Sequence, residues 1–243
     1  MSQPDASRPV AVVTGGTRGI GLGVVRDLAA THHVVVGGRS VESVEGVVRE
    51  LPSGEGLVAD LADCAPGGSL EEALTDLAAR HPHVDVLVHS AGVLRSGTVA
   101  HTPVSEWMES LTVNVVAVAA VTQALLPALR AAKGRVVAVN SGSGFTSSPG
   151  GGAYAASKFA LRALTDALRE EERGKGVRVT SVHPGRVDTD MQHELVSFER
   201  GEYDAARYLD VESVVAAVRL ALEAGPRANV DSISVRPRGY TDA

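Results

Sequence analysis

The chain has 243 residues, 44% hydrophobic and 21% charged, the balance of a globular protein of one domain with a sizeable core. Lys plus Arg total 23 against 29 Asp plus Glu, a formal net charge of -6, which argues against a chain built to coat nucleic acid or an anionic membrane. Aromatic residues at 3% argue against a stacking platform for bases, and a single cysteine, Cys64, cannot form an intrachain disulfide or supply a zinc cluster.

The lone thiol points to a reducing, cytoplasmic compartment, with Cys64 itself read as a small apolar filler. Residues 1–8 are polar and lack the basic start and apolar stretch of a signal peptide, so they are expected to form a flexible tail. Short Val-rich runs then recur at 10–14, 33–37, 56–59, 84–89, 135–140, 177–182 and 231–235, separated by amphipathic stretches of helical composition. Runs such as Val136-Val137-Ala138-Val139 suit strands buried on both faces. The alternation predicts one α/β domain, a doubly wound parallel sheet of about seven strands with helices on both faces. The longest apolar stretch, around Val115 to Val121, is interrupted by Asn114, Thr122 and Gln123, and no membrane span is expected. Residues 189–209 lack a strand and carry Tyr203 and Tyr208; they read equally as a substrate lid or as an ordinary surface helix and loop.

Directly after the first strand stands Thr14-Gly15-Gly16-Thr17-Arg18-Gly19-Ile20-Gly21, opening an Ala/Leu/Val helix. In that strand-loop-helix context Gly15 permits the tight turn, Gly19 lets backbone amides of the loop reach a pyrophosphate, and Gly21 allows close packing of the helix. The helix amino terminus favours the negative charge. Where an NAD-selective site would carry Asp or Glu after the second strand, this chain has Gly37-Gly38-Arg39-Ser40. Arg39 and Arg18 can grip a 2'-phosphate, so NADP(H) is the expected cofactor, with Glu42 close enough to keep NAD in view.

Tyr154 and Lys158 lie four residues apart at the start of a helix and share one face. A phenol with an ordinary pKa of about 10 needs roughly 4 kcal/mol to act near neutrality. An ammonium at ~4 Å across an effective dielectric of ~20 supplies about that much. Ser141, at the end of the fifth strand and on the same connection, can polarise a carbonyl oxygen, though serines in such loops are commonly structural. Asn114, a lone amide in an apolar helix, needs partners, and a helix break with a bound water or a bond to backbone alone would each provide them. The pair His81-Pro82-His83 lacks a matching carboxylate or a second histidine at ligand spacing, so no metal site is expected.

From Val10 to Val235 these motifs, in this order, resemble the short-chain dehydrogenase/reductase family. The shared features are the glycine loop, Asp60 after the third strand, His89-Ser90-Ala91-Gly92 after the fourth, Asn114, Ser141, Tyr154 with Lys158, and Pro184-Gly185 with Thr189. The resemblance implies that Tyr154 is the acid/base, Ser141 orients the substrate carbonyl, Lys158 assists and Asn114 holds a water in a proton relay. It implies cofactor contacts from Gly15, Thr17, Arg18, Gly19, Ile20, Gly21 and Arg39, from Asp60 and Leu61 near the adenine, and from Ser90, Ala91 and Gly92. Tyr154, Lys158, Pro184, Gly185, Val187 and Thr189 would then surround the nicotinamide. His89 stands where the family most often has Asn, and Asn140 replaces a common Ser. The expected function is hydride transfer between NADP(H) and a small-molecule carbonyl or secondary alcohol, in a homodimer or homotetramer. An NAD-linked alcohol dehydrogenase and a catalytically silent nucleotide sensor are the competing readings.

Overall fold

The computed structural model describes residues 8–238; residues 1–7 of the expected tail lie outside the described residues. Seven parallel strands form one sheet in the order β3-β2-β1-β4-β5-β6-β7. They are β1 (Val10–Thr14), β2 (His33–Gly38), β3 (Gly54–Val58), β4 (Val86–His89), β5 (Arg135–Val139), β6 (Arg178–Pro184) and β7 (Ser232–Val235). The helices are α1 (Gly19–Leu28), α2 (Val41–Val48), α3 (Ser69–Arg80), α4 (Val104–Leu111), α5 (Ala117–Ala132), α6 (Gly152–Arg173), α7 (Asp190–Phe198) and α8 (Val211–Glu223).

The pleat of the central strands explains the two layers. Ala11 and Val13 of β1 with Val34 and Val36 of β2 join Val24 and Val25 of α1 and Val214 and Val218 of α8 in one core. The alternate residues Val12 and Val35 face Leu74 and Leu77 of α3 and Leu125 and Leu129 of α5 in the other. Successive side chains on a strand point to opposite faces, so a continuous valine run is what a sheet covered on both sides demands. Cys64 packs against the second core, as a filler would, with its Sγ–H donating to the Leu61 carbonyl at 2.8 Å.

Three strand ends differ from expectation by two residues, the others by one at most. Val84 is buried, but its amide donates to Ala128 O at the end of α5, so β4 begins two residues later than the apolar run. Gly54 pairs with Val34, where a Cβ would stand 2.8 Å from the Val34 carbonyl, and this close approach starts β3 earlier than composition suggests. β6 continues to Pro184, which pairs with Val235 on the edge strand.

The helical run Val104–Ala132 is 29 residues long and, by length and composition, sufficient to cross a membrane, which corrects the expectation that no stretch reaches that length. Here Ala117, Val121, Leu125 and Leu129 are buried against the sheet. The polar residues that interrupt the run in sequence, Asn114 and Thr122, are buried and hydrogen-bonded inside the protein.

Burial holds His32, His33, His89 and His183 below the ordinary imidazole value, His89 to about 4. An unfolded histidine takes up a proton near pH 6.5, whereas the folded His89 resists until about 4. Its contribution to stability is therefore full above about 6.5 and is lost as pH falls towards 4, amounting to about 3 kcal/mol. The urea midpoint is expected to drop through this window, and His89→Asn to flatten the drop; a variant with the wild-type pH profile would refute the assignment.

Candidate active site

The glycine loop leaves the carboxyl end of β1 and closes against the exits of β2 and β4. Gly15 and Gly19 have φ of 65° and 52°, the left-handed region that glycine enters without strain. A Cβ at Gly15 would stand 2.7 Å from Ala91 Cα, and one at Gly21 would stand 2.0 Å from the Gly15 carbonyl oxygen, so neither position accepts a side chain. Arg18 precedes α1 and gives no side-chain cap. The first-turn amides of Gly19, Ile20 and Gly21 thus lie at an uncapped, dipole-positive terminus suited to a pyrophosphate.

Around this loop the other expected cofactor residues converge. Ser90 N donates to Thr14 O at 3.2 Å, and Ala91 N donates to Thr14 Oγ1 at 3.4 Å. The Thr17 methyl would lie 2.8 Å from a Cβ on Gly38, and Arg39 follows immediately, exposed, at the end of β2. Arg18 is also exposed and pairs with Asp190 at 3.4 Å. Asp60 is exposed and its Oδ1 accepts from Ala62 N at 3.0 Å, so it organises the turn after β3, while Leu61 packs against the core. Gly185 N donates to Val235 O at 2.7 Å, Val187 is buried, and Thr189 places its methyl 3.4 Å from where a Gly19 Cβ would be.

The four candidate catalytic residues come from two connections, Asn114 from that between β4 and β5 and Ser141, Tyr154 and Lys158 from that between β5 and β6. The helix between α4 and α5 widens into a π-helical turn, Thr112–Val116, which carries Asn114. Asn114 Oδ1 accepts from Val93 N, while its Nδ2 donates to Val93 O and to Ser157 Oγ, each at 2.9 Å. The expected helix break is present, and the amide is satisfied by backbone and a hydroxyl together. Ser157 was not anticipated. One turn after Tyr154, it donates to Tyr154 O at 2.7 Å and ties Asn114 to α6; the i, i+3 spacing within Tyr154-Ala155-Ala156-Ser157-Lys158 was the available signal.

Ser141 Oγ accepts from Ser143 N at 3.1 Å, which leaves its hydroxyl proton free to donate elsewhere. Behind it, the buried His183 pairs through Nδ1 with Ser141 O at 3.1 Å, and Asn140 Nδ2 donates to Lys158 O at 3.2 Å. These two supports were also missed by sequence reasoning, because their partners lie on other elements. Lys158 is buried and its Nζ donates to Val139 O at 3.3 Å, 5.6 Å from the centre of the Tyr154 ring. Gly92 faces this group: a Cβ there would lie 3.2 Å from Asn114 Oδ1 and 3.8 Å from Lys158 Nζ. His89, the departure at the end of β4, pairs through Nε2 with Thr122 Oγ1 at 2.9 Å.

The electrostatics correct one expectation. Burial raises the Tyr154 phenol above its ordinary value, while the Ser141 side chain draws it part of the way back. Lys158 does not bring it towards neutrality, because the ammonium is itself buried, directed at a carbonyl and lowered to about 8. The site therefore holds the phenol protonated across the neutral range.

Residues 189–209 contain α7 and a short 3-10 turn, Ala205–Arg207, joined by loops. Val187 pairs with Leu209 at the base, Arg18 pairs with Asp190, and Phe198 lies about 3 Å from where a Gly150 Cβ would be. The segment thus spans from the glycine loop to the turn preceding Tyr154. The metal expectation is corrected in its reasoning: the tertiary structure does supply His81 with a carboxylate and a second histidine, Glu55 and His33.

A doubly wound parallel sheet with a glycine loop at β1 and a Ser, Tyr, Lys and Asn cluster at its carboxyl edge defines a class of nucleotide-binding oxidoreductase folds. The family profile described as short chain dehydrogenase matches residues 9–200. The chain belongs to the short-chain dehydrogenase/reductase family and is an oxidoreductase. It is 34% identical over 239 residues to glycine betaine reductase of Emericella nidulans, an alignment covering 96% of this chain and 19% of that protein; the chain thus spans about a fifth of that relative's length. It is 33% identical over 240 residues to farnesol dehydrogenase of Aedes aegypti, covering 95% of this chain and 96% of the other. Among solved structures, an alcohol dehydrogenase from the archaeon Thermococcus sibiricus complexed with 5-hydroxy-NADP superposes with a TM-score of 0.86 at 27% identity, covering 98% of this chain and 100% of that one.

Proposed function

We propose that this protein reduces a small-molecule carbonyl to a secondary alcohol with NADPH. The observation that carries the reading is the convergence of Asn114, Ser141, Tyr154 and Lys158 beside Gly92, with the uncapped α1 terminus at the same edge of the sheet. NADPH supplies the hydride when bound. The glycine loop residues Gly15 to Gly21 and the Ser90-Ala91-Gly92 segment are suited to hold it, since side chains at Gly15 and Gly21 would collide with backbone and one at Gly92 would crowd Asn114. The Thermococcus sibiricus relative in complex with 5-hydroxy-NADP supports an NADP-type cofactor.

Ser141 donates a hydrogen bond to the carbonyl oxygen, its own lone pair being engaged by Ser143 N. Tyr154 delivers the proton to that oxygen, and burial keeps the phenol loaded for the step. Asn114 and Ser157 hold the first turn of α6 in register beside Gly92, and with the cofactor bound Lys158 would hydrogen-bond its ribose and return a proton to Tyr154. The same reading carries a cytoplasmic homodimer or homotetramer, for which the exposed Val116 and Phe159 near α5 and on α6 offer an apolar face; light scattering of the purified chain tests the assembly.

Consumption of NADPH against a panel of ketones, followed by absorbance, tests the reaction; no turnover with any carbonyl and undiminished NADPH binding would favour a nucleotide sensor. Cofactor choice has its own test. Arg39 stands exposed at the end of β2 with no acidic neighbour before Glu42, so Arg39→Ala is expected to weaken NADPH binding roughly tenfold, about 1–2 kcal/mol for a solvated charge-assisted contact, and to leave NADH binding nearly unchanged. Equal losses for the two dinucleotides would refute the role of Arg39.

A further inference from the structure

At the opposite end of the sheet from the candidate active site, three ligand-type side chains from separate elements meet. His33 opens β2, Glu55 is the second residue of the edge strand β3, and His81 closes α3. One donor atom from each lies within 4.8 Å of the other two. His33 and His81 are buried, their side chains each 5% exposed, and Glu55 is 24% exposed, which leaves a path from solvent on the carboxylate side. We propose that His33, Glu55 and His81 form a binding site for a divalent ion of the zinc class.

The strongest sign is an orphan atom. His33 Nε2 is buried and has no hydrogen-bond partner among the described residues, although a buried polar nitrogen is costly to leave unsatisfied. Its other nitrogen, Nδ1, pairs with Ser53 Oγ at 2.8 Å. With Nδ1–H donating to that hydroxyl, Nε2 presents its lone pair to the cluster, the orientation that an outer hydrogen bond gives to metal-ligating histidines. Burial favours the uncharged ring, the form that ligates.

The spacing suits a small tetrahedral ion. Zinc bonds nitrogen and oxygen at about 2.0–2.2 Å, so its ligand atoms stand about 3.4 Å apart. Glu55 Oε2 is 4.0 Å from His33 Nε2, and Glu55 Oε1 is 2.8 Å from His81 Nε2, values on either side of that edge. Coordination replaces the His81 Nε2–H to Oε1 hydrogen bond, the ring proton passing to Nδ1. Arg80 also contacts Oε1, and its second anchor, Asp76 Oδ2 at 3.0 Å, keeps the guanidinium in place beside the ion. That nearby positive charge makes the site weaker than a closed four-ligand structural zinc centre, and the fourth position falls to solvent. Two nitrogens and one oxygen favour zinc, cobalt or nickel over calcium or magnesium. The ion would clamp the edge strand β3 and the end of α3 to β2, a role in stability independent of hydride transfer.

The test uses the full chain stripped with chelator and titrated with Zn2+ by calorimetry, with Co2+ absorption reporting geometry. The expected result is one saturable equivalent, a raised melting temperature, and displaced imidazole nitrogen resonances of His33 and His81 in the wild-type protein. Ser53→Ala is expected to weaken binding about tenfold by freeing the His33 ring. Glu55→Gln and His81→Gln are expected to abolish the saturable equivalent. Absence of saturable binding, the same binding in His81→Gln, or unmoved His33 and His81 resonances would each overturn the proposal, the last two by assigning the ion to histidines elsewhere in the chain. None of these readouts depends on NADPH or on turnover.

Discussion

Tyr154→Phe is expected to lower kcat for carbonyl reduction by about 10²–10⁴-fold, the usual share of a positioned general acid and equivalent to roughly 3–5 kcal/mol. Only the hydroxyl is lost. The ring remains on the first turn of α6, held by the Ser157 bond to the Tyr154 carbonyl and the Asn114 bond to Ser157, neither of which uses the phenol, so NADPH affinity should change by less than about twofold. The pH profile separates catalysis from structure. Because burial lifts the phenol above its ordinary value, reduction by the wild type should hold a plateau through neutral pH and fall only on the alkaline side, and the residual rate of the variant should lack that fall. A variant with wild-type kcat would end the assignment of Tyr154 as acid.

Lys158→Met should abolish most activity and yet yield a more stable protein near neutrality. The ammonium is buried and lowered from its ordinary 10.5 to about 8, so the folded state releases its proton before the unfolded chain does. The cost of burying the charge is present in full below about pH 8 and is relieved as pH rises towards 10.5. Over that window it amounts to about 3 kcal/mol. Methionine fills the same volume without the charge but leaves Val139 O without its donor, a loss of about 1–2 kcal/mol. A net gain of about 1–2 kcal/mol at pH 7 is expected from urea unfolding, shrinking or reversing near pH 10.5. Equal destabilisation at both pH values would show that Lys158 is held without electrostatic strain. The expected gain in stability, with activity lost, would place the amine among side chains retained for chemistry at the expense of the fold.

The class of fold was legible in the sequence because each central strand announces itself. A parallel strand buried on both faces must be apolar at every position, and runs such as Val34-Val35-Val36 and Val136-Val137-Ala138-Val139 admit few other readings. The glycine loop and the Tyr154, Lys158 pair were legible for a related reason: both depend on local spacing, a turn that excludes a Cβ and an i, i+4 step on one helical face.

What the tertiary structure alone decided involves partners distant in the chain. Asn114 reaches Val93 and Ser157 only because a π-helical turn redirects it, and composition does not reveal that turn. The raised phenol and lowered ammonium follow from burial and from Lys158 pointing at Val139 O, whereas spacing by itself suggested a closer ion and an acidified tyrosine. His33, Glu55 and His81 are separated by 22 and 26 residues and meet only where β2, β3 and α3 pack together. Backbone periodicity and local turns are written in neighbouring residues, so the sequence by itself determined the sheet, the loop and the candidate proton donor. Electrostatic environment and ligand clusters are sums over contacts between remote segments, and they came into being only when the chain closed on itself.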